Sequence, residues 1–486
     1  MALEPSAVTD HVDAAWDHHI EPALTDYIAV PALSVGFDAD WAAHGHLDAV
    51  VESAATWARD RAIAGLEVEI VRLPGLTPTL WFEVPPFGPD GEQDDTVLLY
   101  GHLDKQPPMT GWHAGLGPWE PVRRGDRLYG RGGADDGYAV YASLVAIEAV
   151  QATGGSHGRC VGLIECSEES GSPDLPSYVE HLTPRLGTPS LVVCLDSFCG
   201  DYDRMWTTTS LRGLLDLELR VDVLTEGIHS GSAGGVVPDS FRIARRLLDR
   251  VEDPDTGRVL LPELWAPVPP GRHEEIAAVA DDLGAALTAS YPYADGAGPM
   301  VADSEPAAQL VARTWAPSLA VVGADGLPPT QSAGNVLRPT TRLKLSFRLP
   351  PTVDAQEAGA AISTALLAEP HPPAAVTVVP GSAEGGWDAP PTAPWLSRIL
   401  AQASEATFGR PARSLGEGGS IPFMGMLGRR FAHAQFLLTG VLGPQSNAHG
   451  PNEFLHLPTA RHLTAAVALV LDAHSTRPRA DRQAET

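Results

Sequence analysis

Three short apolar runs in this chain end on an imidazole or a carboxylate, and that recurrence constrains the fold more than any average property. Thr96–Tyr100 leads into Gly101-His102-Leu103-Asp104, Val161–Glu165 leads through Cys166-Ser167 into Glu168-Glu169, and Leu191–Leu195 leads into Asp196. A short apolar run closed by a turn signal reads as a buried strand, and open α/β sheets bind ligands at the C-terminal mouths of such strands. Adjacent carboxylates at one mouth can divide two tasks, one holding a cation and the other moving a proton. The plain alternative for Glu168 and Glu169 is an acidic first helical turn, which the helix dipole favours.

These runs alternate with helical spacing. Val8–Val30 and Leu47–Ala64 read as amphipathic helices, Glu67–Leu73 and Thr79–Val84 as strands, and Tyr138–Val150 as an apolar helix after the glycine-rich Leu128–Gly137. Strands alternating with helices imply a mixed or largely parallel sheet covered by helices. From about residue 207 the character changes. Leu215, Leu217, Leu219, Val221 and Val223 alternate with polar residues, as do Leu343, Leu345, Phe347 and Leu349, so each stretch reads as a strand with one buried face. Helices at Asp239–Val251, Ser304–Trp315 and Ala355–Ala368, strands at Leu319–Gly323 and Ala375–Val379, and a proline-rich loop region up to Met300 fill in the rest. The resulting β-α-β, β-α-β order suits a small α+β, ferredoxin-like sandwich with one open face. A helix at 393–408, a strand at Gln435–Val441 and a helix at Thr459–His474 then resume the first pattern. Residues 207–385 therefore read as an insertion between segments 1–206 and 386–486 of one α/β domain, with a disordered tail from Ser475.

A chain of 486 residues exceeds what one core usually serves, so two domains fit its length. Its formal net charge of −28 argues against nucleic acid or an anionic membrane as partner. No run approaches the roughly 20 apolar residues of a membrane span, and the N-terminus lacks a basic segment followed by an apolar core. Cys160, Cys166, Cys194 and Cys199 lie in or beside strand-like runs without CxxC spacing and read as buried free thiols. The expected location is the cytoplasm.

Around the strand ends stand His102, Asp104, Asp135, Glu168, Glu169, Asp196 and, in SNAHGPNE, His449. Imidazoles and carboxylates without thiolates suit borderline-hard divalent metals: zinc, manganese or cobalt. Two histidines with three carboxylates exceed what one tetrahedral zinc needs, and they suffice for two metals if one carboxylate bridges. A further carboxylate left uncoordinated could act as general base. Asp104, on the same side of the strand as His102, could orient its imidazole. Taken singly, each residue has a bland reading: His449 as a solvated loop residue, the aspartates as caps or turn formers. One dinuclear site explains them together.

With GHLD (Gly101–Asp104), GRGGADDG (Gly130–Gly137), EES (Glu168–Ser170) and the late His449, the chain resembles the M20 family of co-catalytic zinc peptidases. Within it the resemblance is to the carnosinase-like dipeptidase branch, related to carboxypeptidase G2 and the aminoacylases. It implies that His102 and Asp196 bind one metal, that Glu169 and His449 bind the other, and that Asp135 bridges through a cis Asp135–Asp136 peptide. It makes Glu168 the general base of a metal-bridged hydroxide that cleaves dipeptides or short peptides with a free C-terminus, the alternative being an N-acyl amino acid amidohydrolase or a specialised biosynthetic amide hydrolase. A non-catalytic metal-binding relative is the remaining reading, and the intact Glu168 argues against it. The insertion resembles the family's lid and dimerisation domain, which implies a homodimer. There His229 in GIHSGSAGG matches a histidine that stabilises the oxyanion from the partner subunit, and Asn335 and Arg348 match residues holding the substrate carboxylate. EGGSIP (Glu417–Pro422) also matches, so the Gly419 amide and Ser420 could contact that carboxylate. Without the resemblance, Arg348 reads as a surface arginine and Asn335 as a turn former. Two departures concern the substrate side: Gly137 stands where the family usually has lysine, and Gly416 where the branch commonly has arginine.

Overall fold

A computed structural model describes residues 3–91, 95–284, 286, 291, 293–300, 305–369 and 373–478. The expected helix start at Ser304 and the tail beyond residue 478 lie outside these. The chain divides into two compact units: Met1–Thr209 with Ala389–Leu415 and Met426–Thr486, and Ser210–Asp388 with Gly416–Gly425.

The first unit is built on a six-stranded sheet. Its strands are β1 (Glu67–Val71), β2 (Thr79–Val84), β3 (Thr96–His102), β4 (Arg159–Glu165), β5 (Pro189–Cys194) and, from the other end of the chain, Gln435–Leu438, in the order β1-β2-β4-β3-β5-Gln435–Leu438. β4, β3, β5 and Gln435–Leu438 run parallel, whereas β2 is antiparallel to β4 and to β1. Every residue of β3 and β4 is buried, as expected of strands covered on both faces. The helix Tyr138–Ala152 is buried continuously from Tyr138 to Val150 and packs against β3 and the terminal helix Leu457–Thr476. Each fully buried Val, Leu or Ile in such a core contributes about 1.5–3 kcal/mol. Because the parallel strands end on one edge, His102, Glu168-Glu169 and Asp196 emerge side by side.

The second unit holds a four-stranded antiparallel sheet. Its strands are β6 (Gly213–Asp222), β7 (Ser318–Asp325), β8 (Thr340–Leu349) and β9 (Ala375–Glu384), in the order β7-β8-β6-β9. Helices lie between β6 and β7 and between β8 and β9, which gives the ferredoxin-like order. Burial along β6 and β8 alternates strictly, and the inward Leu215, Leu217, Leu219, Leu345 and Phe347 pack on Ile243, Leu247 and Ile362 of those helices.

Three local expectations change. The single helix over Val8–Val30 is two, Pro5–Ala15 and Glu21–Ile28, joined by a π-turn in which Glu21 N–H reaches back to Trp16. Pro22 explains the break, because it cannot donate to the carbonyl four residues back. The proline-rich region before Met300 contains a helix, Pro270–Leu283, since proline is well tolerated at a first helical position. The tail does not loosen at Ser475: the terminal helix runs to Thr476 and Ser475 is buried.

Arg477 anchors that end with a two-pronged contact to Asp95 (Nη1 to Oδ2 2.7 Å, Nη2 to Oδ1 2.9 Å), which also accepts from Ser190 Oγ. Burial pushes the Asp95 carboxyl up, but Arg477 and His474 outweigh it and hold it below its usual range. A depressed folded value stabilises the protein above the unfolded value near 3.8 and is lost as pH falls through the folded one. Asp95→Asn is therefore expected to lower Tm at neutral pH, with the gap to wild type closing below about pH 4 in a thermal series.

Candidate metal centre

β3 ends on His102, opposite Glu165 of β4. The ring is buried, its Nε2 lying 3.5 Å from Asp135 Oδ1 and 3.5 Å from Asp196 Oδ2. The other oxygen of Asp135, Oδ2, is 3.0 Å from His449 Nε2, which is 3.3 Å from Glu169 Oε2. Two groups of potential ligand atoms result, His102-Asp135-Asp196 and Asp135-Glu169-His449, each within 4.8 Å. Asp135 belongs to both and turns one oxygen toward each. The Asp135–Asp136 peptide is cis.

The donor chemistry fits divalent ions. His102 Nε2 and Glu169 Oε1 are buried and lack a hydrogen-bond partner, an arrangement that costs free energy unless a cation answers it. Burial alone would strip the proton from His102, but Asp104, Asp135 and Asp196 raise its value well above the usual range. His449 behaves likewise: Asp135 and Glu169 outweigh burial and push it up to about 11. A metal ion would take the place of these protons, so its binding weakens on acidification.

Glu168 belongs to neither group. Its Oε2 is 3.9 Å from His102 Nε2, and burial, with Asp196, Glu169 and Asp104 beside it, raises its carboxyl well above the ordinary range against the pull of His102. Asp104, whose carboxylate lies 3.5 Å from His102 Nδ1, also holds the neighbouring turn. Its two carboxylate oxygens accept the backbone N–H groups of Glu168 and Glu169, at 3.1 and 3.0 Å, and so pin the turn Glu168–Ser170. The nearest acceptor for His102 Nδ1 is the Asp104 backbone carbonyl, at 3.1 Å, with the carboxylate at 3.5 Å.

The remaining candidates lie in the second unit. Exposed His229 lies on a two-stranded ribbon opposite Val336, and exposed Asn335 immediately precedes that strand, with Ser230 N–H donating to Asn335 O. His229 Nδ1 accepts from Gly231 N–H, which leaves Nε2 as the donor nitrogen of the neutral ring. Arg348 Nη1 donates to Ser420 Oγ at 3.3 Å. A Cβ at Gly419 would meet only Glu417 Oε1, at 3.9 Å.

Several supporting residues escaped the sequence reading. Gln106 Nε2 donates to Glu169 Oε2 at 2.7 Å. Buried Arg131 pairs with Glu453 and donates to Gly450 O, while Glu453 Oε1 accepts from Gly132 N–H. This tether joins the approach to Asp135 with the loop carrying His449. Arg131 and Glu453 both lie inside quoted motifs, but nothing local marks them as partners.

The sequence profile of peptidase family M20/M25/M40 matches residues 98–473. The chain belongs to that family. Among curated relatives, a cysteinylglycine-S-conjugate dipeptidase of Corynebacterium striatum is 28% identical over 77% of this chain and 80% of its own. A human Beta-Ala-His dipeptidase is 30% identical over 37% of this chain and 36% of its own. A solved di-peptidase of Saccharomyces cerevisiae superposes with TM-score 0.77 at 22% identity, covering 98% of this chain and 100% of that one. Human carnosine dipeptidase 1 superposes with TM-score 0.76 at 20% identity, covering 97% and 99%. The mixed α/β fold is thus that of M20 peptidases, and the two ligand groups sharing Asp135 are a candidate dinuclear centre for divalent metals.

Gly137, the departure from the usual M20 lysine, has a steric cause. A Cβ there would lie 2.1 Å from the ring of Tyr27, whose hydroxyl donates to Leu103 O. Gly137→Lys, which restores the family's residue, is expected to destabilise the fold by about 1–3 kcal/mol through overpacking, measurable by denaturant titration.

Proposed function

We propose that the chain is a two-metal dipeptidase that hydrolyses the amide bond of dipeptides or short peptides bearing a free C-terminal carboxylate. The observation carrying this reading is Asp135, with one oxygen in each ligand group, beside a Glu168 that belongs to neither. His102, Asp196, Asp135, Glu169 and His449 would hold the pair, zinc by preference, with manganese or cobalt as alternatives. Such ions supply Lewis acidity to a carbonyl and acidity to water. Glu168 takes the proton from the attacking water and returns it to the leaving amine. Asp104 keeps Glu168 in position through its grip on the turn. His229 Nε2–H donates to the developing oxyanion, and Arg348, Asn335, Ser420 and the Gly419 amide receive the carboxylate. Exchanging Arg348 for alanine should raise KM for a free dipeptide by about tenfold or more, with little change in kcat, the loss of one charge-assisted contact. Steady-state kinetics with a circular-dichroism check on folding reads this.

An N-acyl amino acid amidohydrolase is the second reading, favoured by a 33% match over 23% of the chain to a succinyl-diaminopimelate desuccinylase of Paraburkholderia xenovorans. Mass-spectrometric assay of free dipeptides beside N-acyl amino acids separates the two. Turnover of free dipeptides supports the dipeptidase, and turnover confined to N-acyl substrates replaces it. We further propose a homodimer formed through the second unit. The cytoplasm suits the four buried free cysteines.

A further inference from the structure

Arg212 stands at the entry to β6, nine-tenths buried. Its Nε donates to Gly418 O at 3.2 Å, and its Nη1 donates to Ala316 O at 3.1 Å and Ser318 Oγ at 3.3 Å. Its backbone N–H donates to Glu417 O. All three side-chain acceptors are neutral, and among the described residues no carboxylate forms an ion pair with it. The strongest neighbouring charges are of its own sign. Burial first, then Arg348 and Arg313, loosen its proton to about 10. A buried guanidinium facing other guanidiniums, with neutral acceptors alone, is an arrangement that an incoming anion relieves.

The same short stretch meets Arg348. Gly418 O binds Arg212, and two residues on Ser420 Oγ binds Arg348. Nη2 of Arg212 makes none of the bonds just described and lies beside Gly418, 3.1 Å from where a Cβ would stand. A Cβ at Gly416 would come within 2.3 Å of Ser210 Oγ and 3.2 Å of Thr314 Cβ, so a side chain there would require both to shift. Arg212 brings positive charge to this loop from the start of β6.

We propose that Arg212 is a specificity-determining residue that supplies the second guanidinium of the carboxylate-receiving site formed by Arg348 and Ser420. The inference rests on the dipeptidase reading and adds the side chain that makes a free C-terminal carboxylate obligatory.

The test compares wild type, Arg212→Lys and Arg212→Met on one dipeptide and its C-terminal amide, with Tm recorded for each protein. The expected result for Arg212→Met is a KM for the free dipeptide raised about tenfold, kcat nearly unchanged and the preference over the amide collapsed. Arg212→Lys, which retains the charge, should keep most of that preference. Equal loss on both substrates would mark Arg212 as a structural brace, and an unchanged preference would equally overturn the proposal. Should Arg212→Met fail to fold, Arg212→Gln takes its place in the same comparison. If wild type cleaves no dipeptide, the functional reading has failed separately. Calorimetric binding of the free dipeptide then decides: weaker binding to the neutral variant upholds the anion site, and equal binding removes it.

Discussion

Glu168→Gln is expected to lower kcat on a cleaved dipeptide by roughly 10²- to 10⁴-fold, the usual worth of a positioned general base, while leaving the metal content intact. Glutamine keeps the size of the side chain but cannot take a proton. Metal retention follows from position, because Glu168 lies outside both ligand groups and its nearest approach to His102 Nε2 is 3.9 Å. Asp104 still holds the turn, since it binds the backbone of residue 168 rather than its side chain. Steady-state kinetics combined with metal analysis of the same preparation checks both halves. A variant within about threefold of wild type would remove Glu168 from the base role. Lost activity with lost metal would instead make it a ligand.

Breaking the Arg131–Glu453 pair should give the largest stability effect. Both side chains are buried, and Arg131 Nη1 lies 2.5 Å from Glu453 Oε2. Removing one partner of a buried pair strands the other charge and costs about 3–5 kcal/mol, so Arg131→Met or Glu453→Gln is expected to depress Tm strongly. Metal affinity should fall with it. The loop the pair secures holds Asn447, His449 and Asn452 at φ values of 55°, 65° and 64°, left-handed conformations that non-glycine residues adopt only when their surroundings insist. Without Glu453 that loop is free to relax, and His449 leaves the position that brings it near Asp135 and Glu169. Thermal unfolding with and without added zinc reads both effects. A variant whose Tm and zinc-induced stabilisation match wild type would contradict the assignment.

The sequence disclosed the centre better than its supports, for a physical reason. A buried parallel strand must be apolar throughout and must end where polar ligand atoms begin, so β3, β4 and β5 carry their own markers beside His102, Glu168-Glu169 and Asp196. The alternation along β6 and β8 is equally local, because side chains point to opposite faces with period two. The tether between Arg131 and Glu453 spans 322 positions and has no period at all. Arg212 is similar: its partners Gly418 and Ala316 are loop carbonyls, which any residue supplies. The helix Pro270–Leu283 stayed hidden because proline, read as a loop signal, here occupies a first helical position. The two bonds of Asp104 to the backbone N–H groups of Glu168 and Glu169 were not legible either, because backbone donors across the strand mouth leave no mark in the sequence.

The central claim is that Asp135 joins two metal-binding groups into one hydrolytic centre, and metal counting tests it most directly. Chelator-stripped protein is titrated with zinc while bound metal and dipeptide hydrolysis are followed together, for wild type and Asp135→Ala. The account predicts two ions per wild-type chain, activity that returns with them, and a variant that holds neither ion tightly and stays inactive. A wild-type chain saturated and fully active with a single ion, or an Asp135→Ala variant that still takes up both, would contradict it.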